Sequence, residues 1–385
     1  MSQSSAGQSS PITVNVPGAS YTIRIEEGLL EKAGEALESL LASRKVYILS
    51  DTTVWKLWGT KLLRSFKRHR PAVILISPGE RFKRLVTVEK IADMLAARGA
   101  ERSSLLVVFG GGVAGDIGGF AASVYLRGID YVQIPTTLLA QVDSAIGGKT
   151  GVNLAVGKNL VGTFYQPRLV LSDPKVLQTL PPRQLRAGLF EAVKCAVIGD
   201  PALFECLQTE RERILRCDPK ALREVIRAAA ALKARVVSQD EKESGLRRVL
   251  NFGHTVGHAL EAATKYRHFL HGEAVAWGML AATRLAAEHG RLSIPEAARI
   301  HDLIVSYGPV PPLEPIVPAS LASHLAVDKK VRDGKLHFIL PRAIGDVEVV
   351  AGIVPQEVVG VIRQLAKENP FSKPRRAAAA PARKP

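Results

Sequence analysis

Hydrophobic and polar positions follow two different patterns along the chain, and the pattern changes near residue 180. Before that point, short continuous apolar runs alternate with segments in which apolar residues recur at helical spacing. Buried strands that alternate with amphipathic helices are typical of an α/β fold, a parallel sheet covered on both faces. The predicted strands are 45–51, 72–76, 104–109, 131–135 and 169–172, and 86–98 is an intervening helix.

Beyond Leu180-Pro181-Pro182 the sequence is dominated by Ala, Leu, Arg and Glu, and runs of β-branched residues are scarce. Apolar residues at helical spacing predict an all-helical region here. We therefore expect a disordered start at 1–11, an α/β domain at 12–180, an all-helical domain at 181–369 and a disordered basic tail at 370–385. The predicted helices are 184–198, 202–212, 219–239, 254–265, 273–289 and 295–306.

Composition limits the function classes. An apolar content of 46% and a charged content of 23% in 385 residues describe an ordinary soluble protein with more than one domain. The net charge of +16 suggests nucleic-acid binding, but part of it lies in the tail and no nucleic-acid module is recognisable. A small anionic substrate is the simpler explanation, with no nucleic-acid partner. The cations of the tail are Lys373, Arg375, Arg376, Arg383 and Lys384.

Several features indicate a cytoplasmic protein. Residues 1–23 contain no Lys or Arg, which argues against a secretory signal and an Arg-rich transit peptide. The apolar run 105–126 contains Asp116 and six glycines, so it indicates a strand, a loop and a helix start rather than a membrane span. Cys195, Cys206 and Cys217 form no C-x-x-C pair, so neither a disulfide framework nor a thiolate zinc site is expected.

Three of the nine histidines, His254, His258 and His271, lie within 18 positions. His254 and His258 are four apart, so they share one helical face on which two imidazoles can converge on a metal ion or a substrate. The spacing is similar to the zinc-protease helix, but Thr255 stands where the general-base Glu of that motif would be. Hydrogen-bonded core histidines are the alternative. Three in one window, with carboxylates nearby, favour a metal or catalytic site and therefore an enzyme.

A glycine-rich turn follows the third predicted strand. Residues 110–116 read Gly-Gly-Gly-Val-Ala-Gly-Asp and match G-x-G-x-x-G at the start of a helix, where backbone amides can approach a pyrophosphate. A tight turn that simply needs glycine is the alternative. The position is unusual, because the usual fingerprint follows the first strand of such a fold. Asp51, at the carboxyl end of an earlier strand, is the candidate for binding ribose hydroxyls.

Other polar loops follow the predicted strands, on the side where doubly wound sheets bind ligands. The loop 77–83 can present Glu80 and Lys83, and Thr136 and Thr137 follow the strand 131–135. Gly-Gly-Lys-Thr at 147–150 does not complete a P-loop, because Asp143 stands in place of its first glycine. The glycine-rich loops 147–159 nevertheless suit a polyhydroxylated phosphate ester. Their polar residues are Lys149, Asn153, Lys158 and Asn159.

Glu191 and Lys194 lie one turn apart on the first predicted helix after residue 180. A surface pair with i,i+3 spacing is the ordinary interpretation. The apolar neighbours Phe190, Ala192 and Val193 instead indicate that the pair is partly buried.

Together these segments resemble 3-dehydroquinate synthase from about residue 51 to residue 346. The Ser-rich start and the basic tail have no counterpart in that family. Because many motifs occur in order and at compatible spacings, chance resemblance is negligible. The motifs are 110–116, Tyr125-Leu126-Arg127-Gly128, 135–143, 147–153, Lys158-Asn159, Glu191-Ala192-Val193-Lys194, 251–258, His271-Gly272-Glu273 and Asp328-Lys329-Lys330.

The resemblance implies a Rossmann-like NAD-binding domain followed by a helical metal-binding domain, in a homodimer. The implied cofactors are NAD and one divalent metal ion, Zn or Co. The implied reaction converts 3-deoxy-D-arabino-heptulosonate 7-phosphate into 3-dehydroquinate and phosphate, in the shikimate pathway. It proceeds by transient oxidation with NAD, phosphate elimination, re-reduction and intramolecular aldol closure. Another sugar phosphate cyclase, of the valiolone or deoxy-inosose type, is the alternative, although the loop 143–149 looks more like 3-dehydroquinate synthase.

By motif position, the resemblance also implies roles for individual residues. The metal ligands would be Glu191, His254 and His271, a carboxylate and two imidazoles that suit a catalytic zinc with open positions. The catalytic residues would be Glu243, His258 and Lys149, with Glu243 and His258 as a proton-handling pair. The residues that hold the substrate would be Asp143, Lys149, Asn159, Lys194, Lys233, Arg247, Asn251, Lys330 or its neighbour Lys329, and Arg127 across the dimer interface. Those that hold NAD would be Asp51, Glu80, Lys83, Gly112, Val113, Ala114, Gly115, Asp116, Thr136, Thr137, Lys149, Lys158 and Thr179.

Overall fold

The computed structural model describes residues 10–67, 69–314, 318–326, 331–332 and 335–372. Lys329, Lys330 and most of the predicted termini therefore lie outside the described residues. The chain forms two compact units, Met1–Leu250 and Asn251–Pro385. The first unit contains the sheet and also the helices that directly follow residue 180. The sequence pattern thus changes near residue 180, whereas the first compact unit ends at Leu250.

The first unit contains the five predicted strands with small shifts at their ends. The predicted helix 202–212 is instead two helices, Pro201–Thr209 and Arg211–Leu215. The strands are β1 (Ile12–Val14), β2 (Tyr21–Ile25), β3 (Val46–Asp51), β4 (Ala72–Ile76), β5 (Leu105–Gly110), β6 (Asp130–Pro135), β7 (Lys149–Leu154), β8 (Gly157–Phe164) and β9 (Leu169–Ser172). The α-helices are α1 (Ala33–Ala36), α2 (Glu38–Leu41), α3 (Thr52–Ser65), α4 (Leu85–Ala97), α5 (Gly112–Val124), α6 (Pro182–Gly199), α7 (Pro201–Thr209), α8 (Arg211–Leu215) and α9 (Pro219–Gln239).

Seven strands form one sheet in the order β1-β2-β9-β6-β5-β3-β4. Every neighbouring pair in it is parallel except β1 and β2. Parallel neighbours need a crossover connection, and α3, α4 and α5 each follow one of these strands. The carboxyl ends of β3, β5 and β6 therefore lie at one edge, where folds of this type bind ligands.

The sheet packs closely against α5. Leu49, Val108 and Ile117 belong to one buried apolar cluster. A Cβ at Gly118 would lie 2.6 Å from a methyl group of Val108, so only glycine lets this helix approach β5 so closely. The approach places the N-terminal turn of α5 directly beside the ligand edge of the sheet.

The glycines of 147–159 predict loops, but this prediction is wrong, because β7 and β8 form an antiparallel hairpin. Gly151 pairs with Gly162 across the hairpin. A Cβ at Gly162 would lie 2.0 Å from the carbonyl oxygen of Thr150. The glycines that obscure the strand pattern are therefore the residues that this close pairing requires.

The second unit is largely helical, as predicted, but it also contains a small antiparallel sheet that the all-helical prediction missed. Gly345, in a left-handed conformation with φ of 91°, makes the tight turn between two of its strands. The α-helices are α10 (His254–Ala263), α11 (His271–Glu288), α12 (Ile294–Ser306), α13 (Pro318–Ala326) and α14 (Pro355–Glu368). The strands are β10 (Val331–Arg332), β11 (Lys335–Ala343) and β12 (Asp346–Ala351), in that order in the sheet.

Small residues bring α10 and α11 into close contact. A Cβ at Gly278 would lie 1.9 Å from the carbonyl oxygen of Gly253, and one at Gly257 would lie 3.2 Å from the backbone of Ala274. Larger side chains would force these two helices apart. The first turns of α10 and α11 carry the clustered histidines, so the glycines decide how close those imidazoles come.

The tail is predicted to begin at residue 370, but ordered packing continues beyond that point. The Phe371 ring lies edge-on to the ring of the buried Trp277, with centroids 4.9 Å apart. Residues from 373 onward lie outside the described part of the chain. Among the helices that the structure describes, none combines the length and the apolar character that crossing a membrane requires.

Candidate functional site

The three clustered histidines converge within the second unit. The ring centroids of His254 and His258 are 5.3 Å apart, those of His254 and His271 are 5.1 Å apart, and those of His258 and His271 are 5.9 Å apart. His254 and His271 begin their helices, and Gly253, with a left-handed φ of 77°, provides the turn into α10. The sequence prediction that these side chains lie together is confirmed.

Each of the two predicted imidazole ligands has a defined partner at Nδ1. His271 Nδ1 is 3.1 Å from Glu261 Oε2, and His254 Nδ1 is 3.1 Å from the carbonyl oxygen of Phe252. An acceptor at Nδ1 favours the tautomer with the proton on that nitrogen, which makes Nε2 the metal-binding atom. Sequence reasoning assigned no role to the buried Glu261. Its i+7 spacing from His254 on the same helical face is the signal that could have identified it.

A buried charge network lies in the first unit. Lys194 Nζ is 2.5 Å from Glu191 Oε2 and 3.7 Å from Asp143 Oδ1. Lys233 Nζ donates to Asp143 Oδ1 at 2.6 Å and to the Asp143 carbonyl oxygen at 2.7 Å. Glu191 and Lys194 are both buried, so the interpretation as a surface pair is wrong. Three of the residues predicted to hold substrate, Asp143, Lys194 and Lys233, are therefore in contact through this network.

The two lysines of this network differ in their electrostatics. Burial lowers the pKa of Lys194, but the carboxylates of Glu191 and Asp143 outweigh burial and hold that pKa above its ordinary value. Burial is the stronger effect for Lys233 and holds its pKa below the ordinary value, although Asp143 opposes it. A second anion beside Lys233 would therefore stabilise its charged form.

Another group of predicted site residues in the first unit consists of Lys149, Glu243 and Arg247. The Lys149 ammonium contacts the Glu243 carboxylate. The Arg247 guanidinium is buried, donating from Nη2 to the Gly147 carbonyl oxygen at 3.1 Å and from Nη1 to the Glu241 carbonyl oxygen. Burial lowers the pKa of Arg247 below its usual range. Several cations of the predicted site are thus held beside backbone carbonyls and carboxylates.

The glycine turn has the predicted form. Strand β5 ends at Gly110 and helix α5 begins at Gly112, with Val113, Ala114 and Gly115 in its first turn. A Cβ at Gly112 would lie 2.9 Å from Ser144 Oγ. A side chain at position 112 would therefore meet the Ser144 hydroxyl, which favours glycine at this helix N-terminus.

Asp51 stands at the carboxyl end of β3, which neighbours β5, and it caps a helix there. Its Oδ1 accepts hydrogen bonds from the backbone N–H groups of Thr53 at 2.9 Å and Val54 at 3.0 Å. The predicted ribose-binding carboxylate is thus fixed by its own backbone at the ligand edge.

Lys83 connects the turn to the hairpin. Its Nζ contacts the Asp116 carboxylate and donates to Asn159 Oδ1 at 2.6 Å. Asn153 Nδ2 donates to Glu80 Oε1 at 2.8 Å, and Lys158 Nζ is 3.9 Å from the same oxygen. Burial raises the pKa of Asp116 despite the nearby ammonium of Lys83. The predicted NAD-binding residues from the loop, helix and hairpin are therefore in mutual contact.

The three predicted threonines have different surroundings. Thr136 Oγ1 is buried and has no hydrogen-bond partner among the described residues. Thr137 Oγ1 accepts from the Ala140 N–H at 3.2 Å, and Thr179 Oγ1 accepts from Trp58 Nε1 at 2.9 Å. The buried Thr136 hydroxyl, at the end of β6, is the one whose polar atom requires a ligand or a water molecule.

Some of the proposed roles involve residues of both compact units or of a neighbouring subunit. Arg127 is exposed, with a left-handed φ of 67°. Glu191 and Glu243 belong to the first unit, whereas His254, His258 and Asn251 belong to the second. The Glu191 ligand and the pairing of Glu243 with His258 therefore stay predictions from the resemblance.

Comparison with known proteins gives matches along most of the chain. The family described as 3-dehydroquinate synthase N-terminal matches residues 73–187, and the family described as 3-dehydroquinate synthase C-terminal matches residues 188–331. A 3-dehydroquinate synthase of Koribacter versatilis is 46% identical over 357 residues, which are 92% of this chain and 97% of the relative. Another from Gloeobacter violaceus is 47% identical over 352 residues, which are 90% of this chain and 97% of the relative.

Solved structures of sugar phosphate cyclases are also similar. A 2-epi-5-epi-valiolone synthase from Streptomyces hygroscopicus, solved with NAD+ and Zn2+ bound, has a TM-score of 0.83 and 34% identity, covering 92% of this chain and 98% of that chain. A 2-deoxy-scyllo-inosose synthase, complexed with carbaglucose-6-phosphate, NAD+ and Co2+, has a TM-score of 0.81 and 28% identity, covering 92% and 99%. The sequence matches and these structural likenesses agree, and the chain belongs to the 3-dehydroquinate synthase family.

Proposed function

We propose that the chain converts 3-deoxy-D-arabino-heptulosonate 7-phosphate into 3-dehydroquinate and phosphate, as a carbon–oxygen lyase of the shikimate pathway that uses NAD and one divalent metal ion, Zn or Co. The observation that carries the proposal is the convergence of three imidazoles, with centroids 5.1 to 5.9 Å apart, in a chain of this family. Relatives with this activity in their names are 46% and 47% identical. The valiolone and inosose enzymes are 34% and 28% identical, which favours this reaction over the alternative.

The residues at the sheet edge fit NAD. The backbone amides of the first turn of α5 suit a pyrophosphate, and Gly112 adds no side chain of its own at this turn. The buried Thr136 hydroxyl supplies a polar atom that calls for a ligand, and Asp51 is held near the ribose position by its helix. These features support the set of NAD-binding residues named from the resemblance.

The histidine cluster fits a divalent metal ion. Imidazole and carboxylate side chains are ordinary ligands of Zn and Co, and contacts at Nδ1 set His254 and His271 to offer Nε2. Glu191 would be the third ligand, an assignment that comes from the family motif. Three protein ligands would leave open positions for substrate oxygens.

When bound, NAD accepts and returns a hydride and the metal ion lowers the pKa of a substrate hydroxyl. The chain's own residues hold the substrate and move protons. Lys194 and Lys233 present ammonium groups that can hold carboxylate and phosphate oxygens, with Asp143 fixing their positions. Lys149 Nζ and the Glu243 carboxylate are in contact, so a proton donor and an acceptor lie side by side. His258 is exposed, so it can exchange protons with water.

We propose that the active form is a homodimer. Leu160 and Phe164 of β8 and the nearby Val124 are exposed apolar residues. A hydrogen bond of 2.9 Å joins the Oγ atoms of Ser123 and Thr163, which places the end of α5 beside this strand. Exposed apolar residues gathered at one place suit an interface. The exposed Arg127 lies shortly after the end of α5 in the chain. Its proposed contact with the substrate of the neighbouring subunit requires a position near this interface.

We place the enzyme in the cytoplasm. The support is chemical: Cys195, Cys206 and Cys217 all carry free thiols. Burial raises the pKa of Cys195 to about 12, so its thiol stays protonated and inert at neutral pH. Free thiols of this kind suit a reducing compartment.

Phosphate release from the heptulosonate 7-phosphate, measured with and without NAD, tests the function. We expect release that needs NAD and metal, with no net NADH, because the hydride returns within each turnover. Stoichiometric NADH would indicate an ordinary dehydrogenase. Turnover of a heptulose 7-phosphate that lacks the carboxylate, in place of the heptulosonate, would favour the alternative cyclase.

A matched pair of variants ties this activity to the histidine cluster. His254→Ala should lose both metal and turnover, because two remaining ligands rarely hold a catalytic metal tightly. His268→Ala removes a half-buried imidazole whose Nε2 is 2.9 Å from the Pro312 carbonyl oxygen, outside the cluster, and should keep both. Full metal content in His254→Ala would overturn the ligand assignment.

A further inference from the structure

The loop that follows α9 is folded around one buried carboxylate. Asp240 caps the end of that helix and is 9% exposed. Its Oδ1 accepts from the Ser244 N–H at 2.8 Å and the Ser244 hydroxyl at 3.1 Å. Its Oδ2 accepts from the N–H groups of Gly245 at 2.7 Å and Arg247 at 3.0 Å. Both oxygens thus accept two hydrogen bonds each, and all four donors come from the next turn of chain.

This loop carries two residues of the proposed site, Glu243 and Arg247, and holds the first of them in an unfavourable backbone conformation. Glu243 has a left-handed φ of 59°, which is strained for a residue other than glycine. Such a conformation persists only where the surrounding structure enforces it. The Asp240 hydrogen bonds begin at the very next residue, Ser244, and end at Arg247.

We propose that Asp240 is a positioning residue: it folds the loop so that the Glu243 carboxylate meets Lys149 and the Arg247 guanidinium meets the carbonyl oxygen of Gly147. The inference rests on the proposed roles of Glu243 and Arg247. Asp240 acts through the backbone of these residues and does not itself contact substrate. Nothing in the sequence pattern distinguishes it from its acidic neighbours, because its partners are backbone groups.

The role requires a carboxylate. An amide at this position offers one oxygen, and its NH2 group would face N–H donors that the second carboxylate oxygen now satisfies. Burial raises the pKa of Asp240, but the hydrogen bonds from Arg247, Gly245 and Ser244 outweigh it and hold the pKa far below its usual range. The side chain is therefore ionised at the pH of any assay.

Asp240→Asn in the full-length protein is the direct test. Hydrogen exchange at the amides of Ser244, Gly245 and Arg247 should accelerate by about tenfold or more, since each loses a charged acceptor. Turnover should fall by about 100-fold, mainly in kcat, because the misplaced groups act during the reaction. Ser244→Ala, which removes only the hydroxyl contact, should show a smaller change in the same direction and serves if Asp240→Asn folds poorly.

Asp218→Asn is the matched control, because Asp218 caps the other end of α9 by accepting from the Ala221 N–H at 2.9 Å. It should lower the unfolding midpoint without changing kcat or exchange in the loop. Equal exchange rates and equal kcat in Asp240→Asn and the wild type would overturn the proposal. If the wild type shows no turnover of the heptulosonate, the proposed function fails, and the exchange measurement alone still decides whether Asp240 holds the loop.

Discussion

At the scale of single residues, the two proposed imidazole ligands and the two buried lysines have partners that determine their state. Glu261 and the Phe252 carbonyl hold Nδ1 of the two imidazole ligands. Asp143 holds both Lys194 and Lys233. Glu261 and Phe252 are buried and Asp143 is half-buried, and burial strengthens such interactions because water competes less for them. The proposed function therefore depends also on residues such as Glu261, for which no contact with substrate is proposed.

Glu261→Gln tests the partner of a metal ligand. The amide can still accept from His271 Nδ1, but it lacks the negative charge that raises the basicity of the imidazole. We expect affinity for Zn and Co to fall about 10- to 100-fold, measured by competition with a chelating dye. The visible spectrum of the Co-loaded protein should also shift.

Glu288→Gln is the control, because Glu288 is exposed and lies on the same helix as His271. It should leave metal affinity unchanged. Wild-type affinity in Glu261→Gln for both metals would mean that Glu261 supports only the fold.

At the scale of elements, glycine sets the distances on which the site depends. Gly118 lets α5 approach β5, Gly278 lets α11 approach α10, and Gly162 lets the strands of the hairpin approach one another. In each case an added Cβ would overlap backbone or side-chain atoms. Glycine weakens an isolated helix or strand, so these positions trade local stability for close packing.

Gly112→Val tests the N-terminal turn of α5. The Cβ would lie 2.9 Å from Ser144 Oγ, the end of a short side chain that can rotate. We expect the added side chain to crowd the turn at which the pyrophosphate is proposed to bind. We expect NAD affinity to fall by at least about tenfold, or roughly 1.4 kcal/mol, in calorimetric titrations. The unfolding midpoint should change less.

Gly360→Val is the matched control, since among the described residues no atom outside the adjoining backbone of α14 lies within 4 Å of the Cβ position at that glycine. It should bind NAD as the wild type does. Unchanged affinity in Gly112→Val would mean that the glycines of the turn serve the fold alone.

At the scale of the whole molecule, the C-terminal segment accounts for only part of the net charge of +16. Several cations lie beyond residue 372, whereas Lys194, Lys233 and Arg247 are buried within the first unit. A substrate with a carboxylate and a phosphate group matches the buried cations. The excess charge is therefore consistent with a small anionic substrate.

Truncation separates the packed end of the chain from the basic tail. A variant that ends at Ser372 should keep turnover, dimerisation and the wild-type unfolding midpoint. One that ends at Asn369 also removes Phe371, whose ring contact with Trp277 is worth about 0.5–1.5 kcal/mol beyond its buried area. Thermal unfolding followed by tryptophan fluorescence should show a lower midpoint for the shorter variant only. Equal midpoints would show that this contact contributes nothing.

The sequence by itself determined the alternation of strands and helices, the glycine turn and the histidine cluster. These features repeat at fixed spacings, because a strand alternates faces every two residues and a helix returns to one face every three or four. The family motifs then assign proposed metal, NAD and substrate residues by position. The apolar neighbours of Glu191 and Lys194 predict partial burial, and the structure buries both almost completely.

Only the tertiary structure decided the rest. The hairpin of β7 and β8 and the sheet of β10, β11 and β12 depend on pairing between strands, which a single segment does not reveal. Asp240 acts through backbone N–H groups, and such contacts leave no pattern of residue types. The spacing that places Glu261 on the helical face of His254 does not show that it meets the ring of His271. Spacing along the chain reports which residues share a face, whereas folding alone determines what that face meets.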